Sequence, residues 1–350
     1  MNKNILAIAI AAATFGTQAV AVELYNNDGT TFSMGGHVSV NVNGSEREEK
    51  SNAYNTSGNT EVGANSPRIN FTATQDLGNG YTVDARGEWA LNYLTNGGNS
   101  FSTRLGYVGL THDEVGRFVV GTQWSPFYDV AGLTDMPIAF ANDFLYRGTR
   151  GEDFAKTGQT RSDQMVSYRN GFEFGEAGAL DFGLAWQGKA EAEFDYDDRV
   201  QLALTYSIAG AKLGYAYSTG DVETVSKKDA LDIHAVSASY GSYGNGLYLA
   251  GVYQMSEEKN LQDVDAYELL AAYALPNSLN FSINYETVEV QDKGYSKETE
   301  REELALQVEY NFAPNIVGFT GYQFDLNDDK SGQYSSKTND QWTIGARFYL

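Results

Sequence analysis

Across 350 residues, 46 acidic side chains against 24 basic ones give a formal charge of -22, which argues against a nucleic-acid partner. The absence of cysteine excludes a disulfide framework, a thiolate nucleophile and any Cys-ligated metal site. Apolar residues make up 42% of the chain, but they are spread through short alternating segments rich in Tyr (24) and Phe (18), and no stretch beyond the N-terminus approaches a transmembrane helix.

The chain opens on MNKNILAIAIAAATFGTQAVA, with Lys3, an apolar stretch from Ile5 to Phe15, and Ala19 and Ala21 around Val20. That is the layout of a secretory signal with a small-residue cleavage site. Residues 1–21 are therefore expected to be removed, and residues 22–350 to form a single β-barrel domain.

The period of two predicts sixteen strands. The first eight lie near 33–43, 67–76, 80–92, 101–111, 115–124, 163–172, 180–188 and 198–208, and the last eight near 211–219, 231–241, 246–257, 264–274, 278–290, 302–313, 315–326 and 339–350. In LNFSINYE, Leu279, Phe281, Ile283 and Tyr285 alternate with Asn280, Ser282, Asn284 and Glu286, so one face is apolar and the other wet. ELALQVEYNF and the final QWTIGARFYL repeat the pattern.

Short connections such as LGN, HDE, AG, SYGN and LPN alternate with longer polar ones at 44–66, 125–162, 189–197, 220–230, 291–301 and 327–338. In an up-and-down barrel, alternate connections lie at opposite ends, so a systematic difference in length means that the two ends face different surroundings. A soluble sandwich has no reason for that asymmetry, and no 40–50-residue blade repeat marks a propeller. The expected fold is all-β: a 16-stranded antiparallel transmembrane barrel whose closure satisfies every backbone group in hydrocarbon. Sixteen strands enclose a lumen too wide for side chains to fill, and this implies a channel.

The connection 125–162, the third on the longer side once 93–100 is counted, carries Phe127, Val130, Leu133, Met136, Ile138, Phe140, Phe144 and Leu145. In water these residues would gain nothing from exposure, so the loop is expected to fold into the barrel and narrow it.

VELYNNDG (22–29), MGGHVSV (34–40), PRINFTA (67–73), DLGNGY (76–81), STRLGYVGL (102–110), YDVAGLTDM (128–136) and TRSDQMVSYRN (160–170) together resemble the general diffusion porins of Gram-negative outer membranes, which are trimeric 16-stranded barrels. The resemblance implies passive diffusion of ions and small hydrophilic solutes, a homotrimer in the outer membrane, no cofactor and no catalysis. It also implies an eyelet between the third loop and a basic wall. Carried over by position, Arg68, Arg104 and Arg161 look like the wall arginines, His37 stands where a Lys is common, and Asp135 looks like a loop carboxylate. Alternation with apolar neighbours points all three arginines to the lumen. After the TDM motif, where the family often has a second acid, this chain has Ala139; its last residue is Leu350 where a Phe is usual.

Glu268, Glu286, Glu309, Asp84 and Glu88 share the inward parity and suggest a mild cation preference, although three arginines against Asp135 lean the other way. The acidic runs at 46–50, 256–259 and 327–329 suit solvated loops, and they could also bridge to lipopolysaccharide through divalent cations. Two other functions stay open: a substrate-specific channel using the Tyr-containing stretch 144–154, and a barrel hydrolase, which would need a Ser–His pair. No HExxH, P-loop, dinucleotide or GxSxG motif occurs.

Overall fold

The computed structural model describes residues 21–45, 50–51, 54–55, 59–94, 100–142, 144, 157–189, 195–224, 227–258, 262–292, 294–327 and 340–350. The expected signal segment, most of the acidic runs at 46–50 and 327–329, and all of 144–154 except Phe144 lie outside these residues.

Sixteen strands form the wall. In chain order they are β1 (Thr30–Ser45), β2 (Arg68–Gly78), β3 (Tyr81–Leu91), β4 (Phe101–His112), β5 (Gly116–Trp124), β6 (Arg161–Glu173), β7 (Ala179–Gln187) and β8 (Asp195–Ile208). They continue with β9 (Ala211–Thr224), β10 (Lys227–Ser242), β11 (Asn245–Glu258), β12 (Gln262–Ala274), β13 (Leu279–Asp292), β14 (Glu298–Ala313), β15 (Ile316–Asp325) and β16 (Gln341–Tyr349). Each pairs antiparallel with its neighbour, and β16 pairs back onto β1 with His37 opposite Tyr349 and Ser45 opposite Gln341. Every wall strand meets or approaches the 9–11 residues that a tilted strand needs to cross a bilayer.

The seam has two additions. A short N-terminal strand, Val22–Asn27, lines the lower half of β1 on the β16 side, with Val22 opposite Met34. Another, Asn59–Gly63, lines its upper half on the β2 side, with Gly63 opposite Asn41. The last amide, on Leu350, donates to the Gly36 carbonyl at 3.0 Å.

Alternation sorts the side chains. Outward positions carry Val108, Leu110, Phe118, Val120, Leu249, Leu269, Ile283, Leu306 and Ile344, all exposed, with Val108 at 56% and Leu269 at 57%. Such a continuous apolar exterior is unstable in water and matched to lipid. Inward positions hold Ser39, Asn41, Asn70, Gln123, Ser167, Gln201, Ser218, Gln254 and Asn284, all buried.

Near the long-loop end, four outward tyrosines donate to carboxylates on the next strand or just before it: Tyr217 to Asp232 at 2.7 Å, Tyr253 to Asp265 at 2.5 Å, Tyr285 to Glu302 at 2.8 Å and Tyr322 to Asp340 at 2.9 Å. An amphipathic ring below a charged group is what the boundary between hydrocarbon and headgroup selects.

The apolar core lies inside the barrel, between the third loop and the wall. Phe127, Tyr128, Val130, Ala131 and Leu133 of the loop, with Phe144, pack on Ala203, Ala216, Ile233, Ala235, Ala250, Val252, Ala266, Leu270 and Ala272. The inner faces of β8–β12 are thus apolar where they meet the loop.

Candidate functional site

The loop leaves β5 at Ser125, whose hydroxyl accepts from the Tyr128 amide at 3.1 Å and caps a short helix, α1 (Pro126–Ala131). Pro126 stands at the first helical position, where its missing N–H costs nothing, and Gly132 ends the helix. The helix lies against β7–β10, and close approach there requires bare backbone. A Cβ on Gly214 would sit 2.9 Å from Val130 Cγ1, and one on Gly183 would sit 2.7 Å from Pro126 Cβ. Asp129, in the first turn of α1, receives Arg169 Nε of β6 at 2.6 Å, and a second nitrogen of Arg169 donates to the Trp124 carbonyl at 2.9 Å.

Beyond the helix, Leu133 accepts from Tyr248 at 2.8 Å and Thr134 donates to Glu268. The Ile138 amide donates to Glu309 at 2.9 Å, the Ala139 amide donates to Gln307 at 2.5 Å, and the Phe140 carbonyl accepts from Asn284 at 2.6 Å. The loop therefore follows the inner wall from β7 round to β15, where Ile138 and Ala139 pack with Val317 and Phe319 and with Tyr349 of β16. Its backbone groups are answered by buried wall side chains, as any buried amide must be.

The strands beyond it, β1–β4, together with Arg347 of β16, carry the basic groups. Glu88 of β3 is the hub: Arg104 Nε lies 2.9 Å from it, Arg86 2.8 Å and Arg68 3.7 Å. A turn at Asn65–Ser66 supports the same groups. Ser66 accepts from Arg68 at 2.8 Å through its hydroxyl and at 3.1 Å through its carbonyl, and from Arg104 at 3.4 Å. The Asn65 side chain accepts from Arg347 of β16 at 2.7 Å. His37 lies directly opposite both Arg68 and Tyr349 in register, buried, with its ring edge-on to Tyr349 at 5.7 Å. Next to this cluster, Arg117 binds Asp84 at 2.5 and 2.8 Å.

Arg68, Arg104 and His37 are thus brought together, whereas Arg161 and Asp135 stand elsewhere. Arg161 sits at the root of the loop, 5.9 Å over the Trp124 ring. Asp135 accepts from Tyr128 of α1 at 2.5 Å, so its carboxylate also braces the loop. Simple alternation does not place Arg104 or Arg161, because one bulge falls at Arg104 and another separates Arg161 from the rest of β6. The β3–β4 register slips between Glu88 and Trp89, and Arg104 is the extra residue; Leu105 is buried and Tyr107 faces Arg117 at 6.0 Å, so neither is an outward neighbour. The β5–β6 register slips between Ser162 and Met165. Arg86, Arg347, Arg169 and the Asn65–Ser66 turn were not singled out by sequence; the inward parity of Arg86 with Glu88 and of Arg347 with Thr343 was the available signal.

The inward carboxylates are already occupied. Glu309 accepts from the loop, from Gln307 at 2.8 Å and from Tyr243 at 3.1 Å; Glu286 pairs with Arg301; Glu268 holds Thr134.

A family model described as Gram-negative porin matches residues 6–330. The chain is 28% identical over 376 residues to Outer membrane protein U of Vibrio parahaemolyticus, covering 99% of both chains. Among solved structures it is similar to OmpF of Salmonella typhi in complex with daunomycin, with a TM-score of 0.74 and 21% identity over 94% of this chain and 100% of that one. It is also similar to the trimer form of OmpT of Vibrio cholerae, with a TM-score of 0.64 and 16% identity over 92% of this chain and 100% of that one.

Proposed function

The chain belongs to the Gram-negative porin family, and from that premise we propose that the arginine wall and the inward loop bound the narrowest passage of its channel. The protein is an outer-membrane porin, a water-filled channel for the passive diffusion of ions and small hydrophilic solutes, and a channel rather than an enzyme. The observation that carries this function is the sorting of side chains across a closed wall, with lipid-compatible residues outside and hydrogen-bonding residues inside.

The constriction is formed by Arg68, Arg104 and His37 with Arg86 and Arg347 on one side, and by the loop segment carrying Asp135 on the other; Arg161 flanks the loop root. Supporting this are the apolar anchoring of the loop to β7–β15 and the clustering of four guanidinium groups on β2–β4 and β16. Charges held across a wet gap favour polar solutes that can exchange hydration for side-chain contacts, and the loop sets the size limit.

The assembly is a homotrimer, a reading supported by the family and by the trimer form of OmpT. Residues 1–21 act as a signal that is removed on export. Lipopolysaccharide is the partner on the outer side, a reading supported by the acidic runs at 46–50, 256–259 and 327–329 of the sequence, whose carboxylates can share divalent cations with its phosphate groups. The test is planar-bilayer recording of refolded protein, wild type against Asp135→Ala. Stepwise pores with an altered reversal potential in the variant are expected. An unchanged reversal potential removes Asp135 from the passage, and the absence of steps removes the channel.

A further inference from the structure

We propose that this passage prefers anions to cations, despite the acidity of the protein as a whole. The inference rests on the arginine wall being the narrowest part of the channel.

At that wall the carboxylate is hidden and the guanidinium groups are not. The side chain of Glu88 is 4% exposed, whereas those of Arg68, Arg86 and Arg104 around it are 25, 30 and 11% exposed. A passing ion therefore meets the cationic edges and not the acid. Arg347 adds a fourth guanidinium whose nearest acceptor, Asn65, is neutral. The wall then carries three net positive charges among the described residues. On the loop, Asp129 is matched by Arg169, which leaves Asp135 as the facing acid. The loop residues outside the described set hold three acids and three bases in sequence, with no net charge.

The inward acids that favour cations by parity do not reverse this balance. Glu268 and Glu309 are fully buried behind the loop they hold, Asp84 is tied to Arg117, and Glu286 shares Arg301 with Glu303, which leaves one net negative charge there against three positive ones at the wall. Most of the net negative charge belongs to the long connections and the outer rim. In concentrated salt such distant charges are screened within a few ångströms, about 3 Å at 1 M, whereas groups lining the gap still act on an ion passing beside them. The narrowest ring sets the preference.

The solute class this favours is small and anionic, carboxylates or phosphate esters, whose paired oxygens match guanidinium geometry. The test is the zero-current potential of the refolded pore across a roughly tenfold KCl gradient at high ionic strength. Chloride is expected to be more permeant than potassium. Removing one charge about 6 Å from the ion path, at the dielectric constant of water and before screening, disfavours chloride and favours potassium by about threefold each, so the chloride-to-potassium ratio should fall by up to about tenfold, and by less as the salt is raised. Arg347→Gln is the first variant because it leaves the Glu88 hub intact, and Arg86→Gln, the most exposed of the three hub arginines, is the second. Pores that favour potassium would overturn the inference and leave the channel standing. So would an anion preference that neither variant changes. No pores at all would remove the channel reading itself.

Discussion

Phe127→Ala tests how the loop is held. The ring is fully buried in the core between α1 and the inner wall, and its residue's amide reaches Gln201 at 3.4 Å. Truncating a buried Phe costs about 3–5 kcal/mol, and the low end applies here because lumen water can follow the loop as it lifts. Since every 1.4 kcal/mol is about tenfold, the docking equilibrium moves by roughly two powers of ten or more. Tyr128, Val130 and Leu133 remain, each worth about 1.5–3 kcal/mol of burial, so the loop stays docked on average. Single-channel recording should show a mean conductance close to wild type with more frequent excursions to higher conductance. Phe172→Ala, at an exposed outward position on β6, is the control and should leave the trace unchanged. A Phe127→Ala trace that superimposes on wild type would refute the idea that this core holds the loop. So would a fall in barrel melting temperature with no added current noise, which would place Phe127 in the stability of the wall.

Two further outcomes are expected. Gly214→Leu pushes the loop from behind, because its Cβ alone would meet Val130 Cγ1 at 2.9 Å and Ser237 Oγ at 2.6 Å; the overpacking costs about 1–3 kcal/mol, and liposome swelling with a disaccharide should quicken while the fold is kept. Lys297 joins Asp265 at 2.8 Å and Glu289 at 2.7 Å, and hydrogen bonds to Asp265, then Glu289, hold its ammonium above the usual lysine range. A raised folded value means that its contribution is complete below the unfolded value of about 10.4 and is lost only as pH rises through the higher folded one. The difference in melting temperature between wild type and Lys297→Gln should therefore be constant from neutral pH into the mildly alkaline range; a difference that closes by about pH 8 would count against it.

The wall was readable because hydrocarbon outside and water inside impose a strict period of two, which LNFSINYE displays without exception. Strand ends were less readable. β10 begins at Lys227 where alternation suggested 231, and β14 at Glu298 where it suggested 302. Above the membrane both faces are wet, so pairing continues with no apolar signal to mark it. The same absence hides Asn59–Gly63. Bulges are the deeper difficulty: one extra residue reverses parity, and nothing in STRLGYVGL marks Arg104 as that residue. The arginines of the site could be named, but the acceptors that aim them could not. Ser66 has a left-handed backbone, with φ of 46°, and becomes significant only once the turn is seen beside Arg68 and Arg104.

The seam at β1 bears on how the molecule is made. The partner of the first wall strand is the final one, so an emerging chain owns two raw borders until Tyr349 is available to meet His37. No half-built ring has a stable home, because its greasy side repels water while its ragged rims repel lipid. Losing the strand Gln341–Tyr349 would accordingly remove far more than one stave: it would leave the cylinder unable to shut, and the short Val22–Asn27 segment would have no continuation along that border.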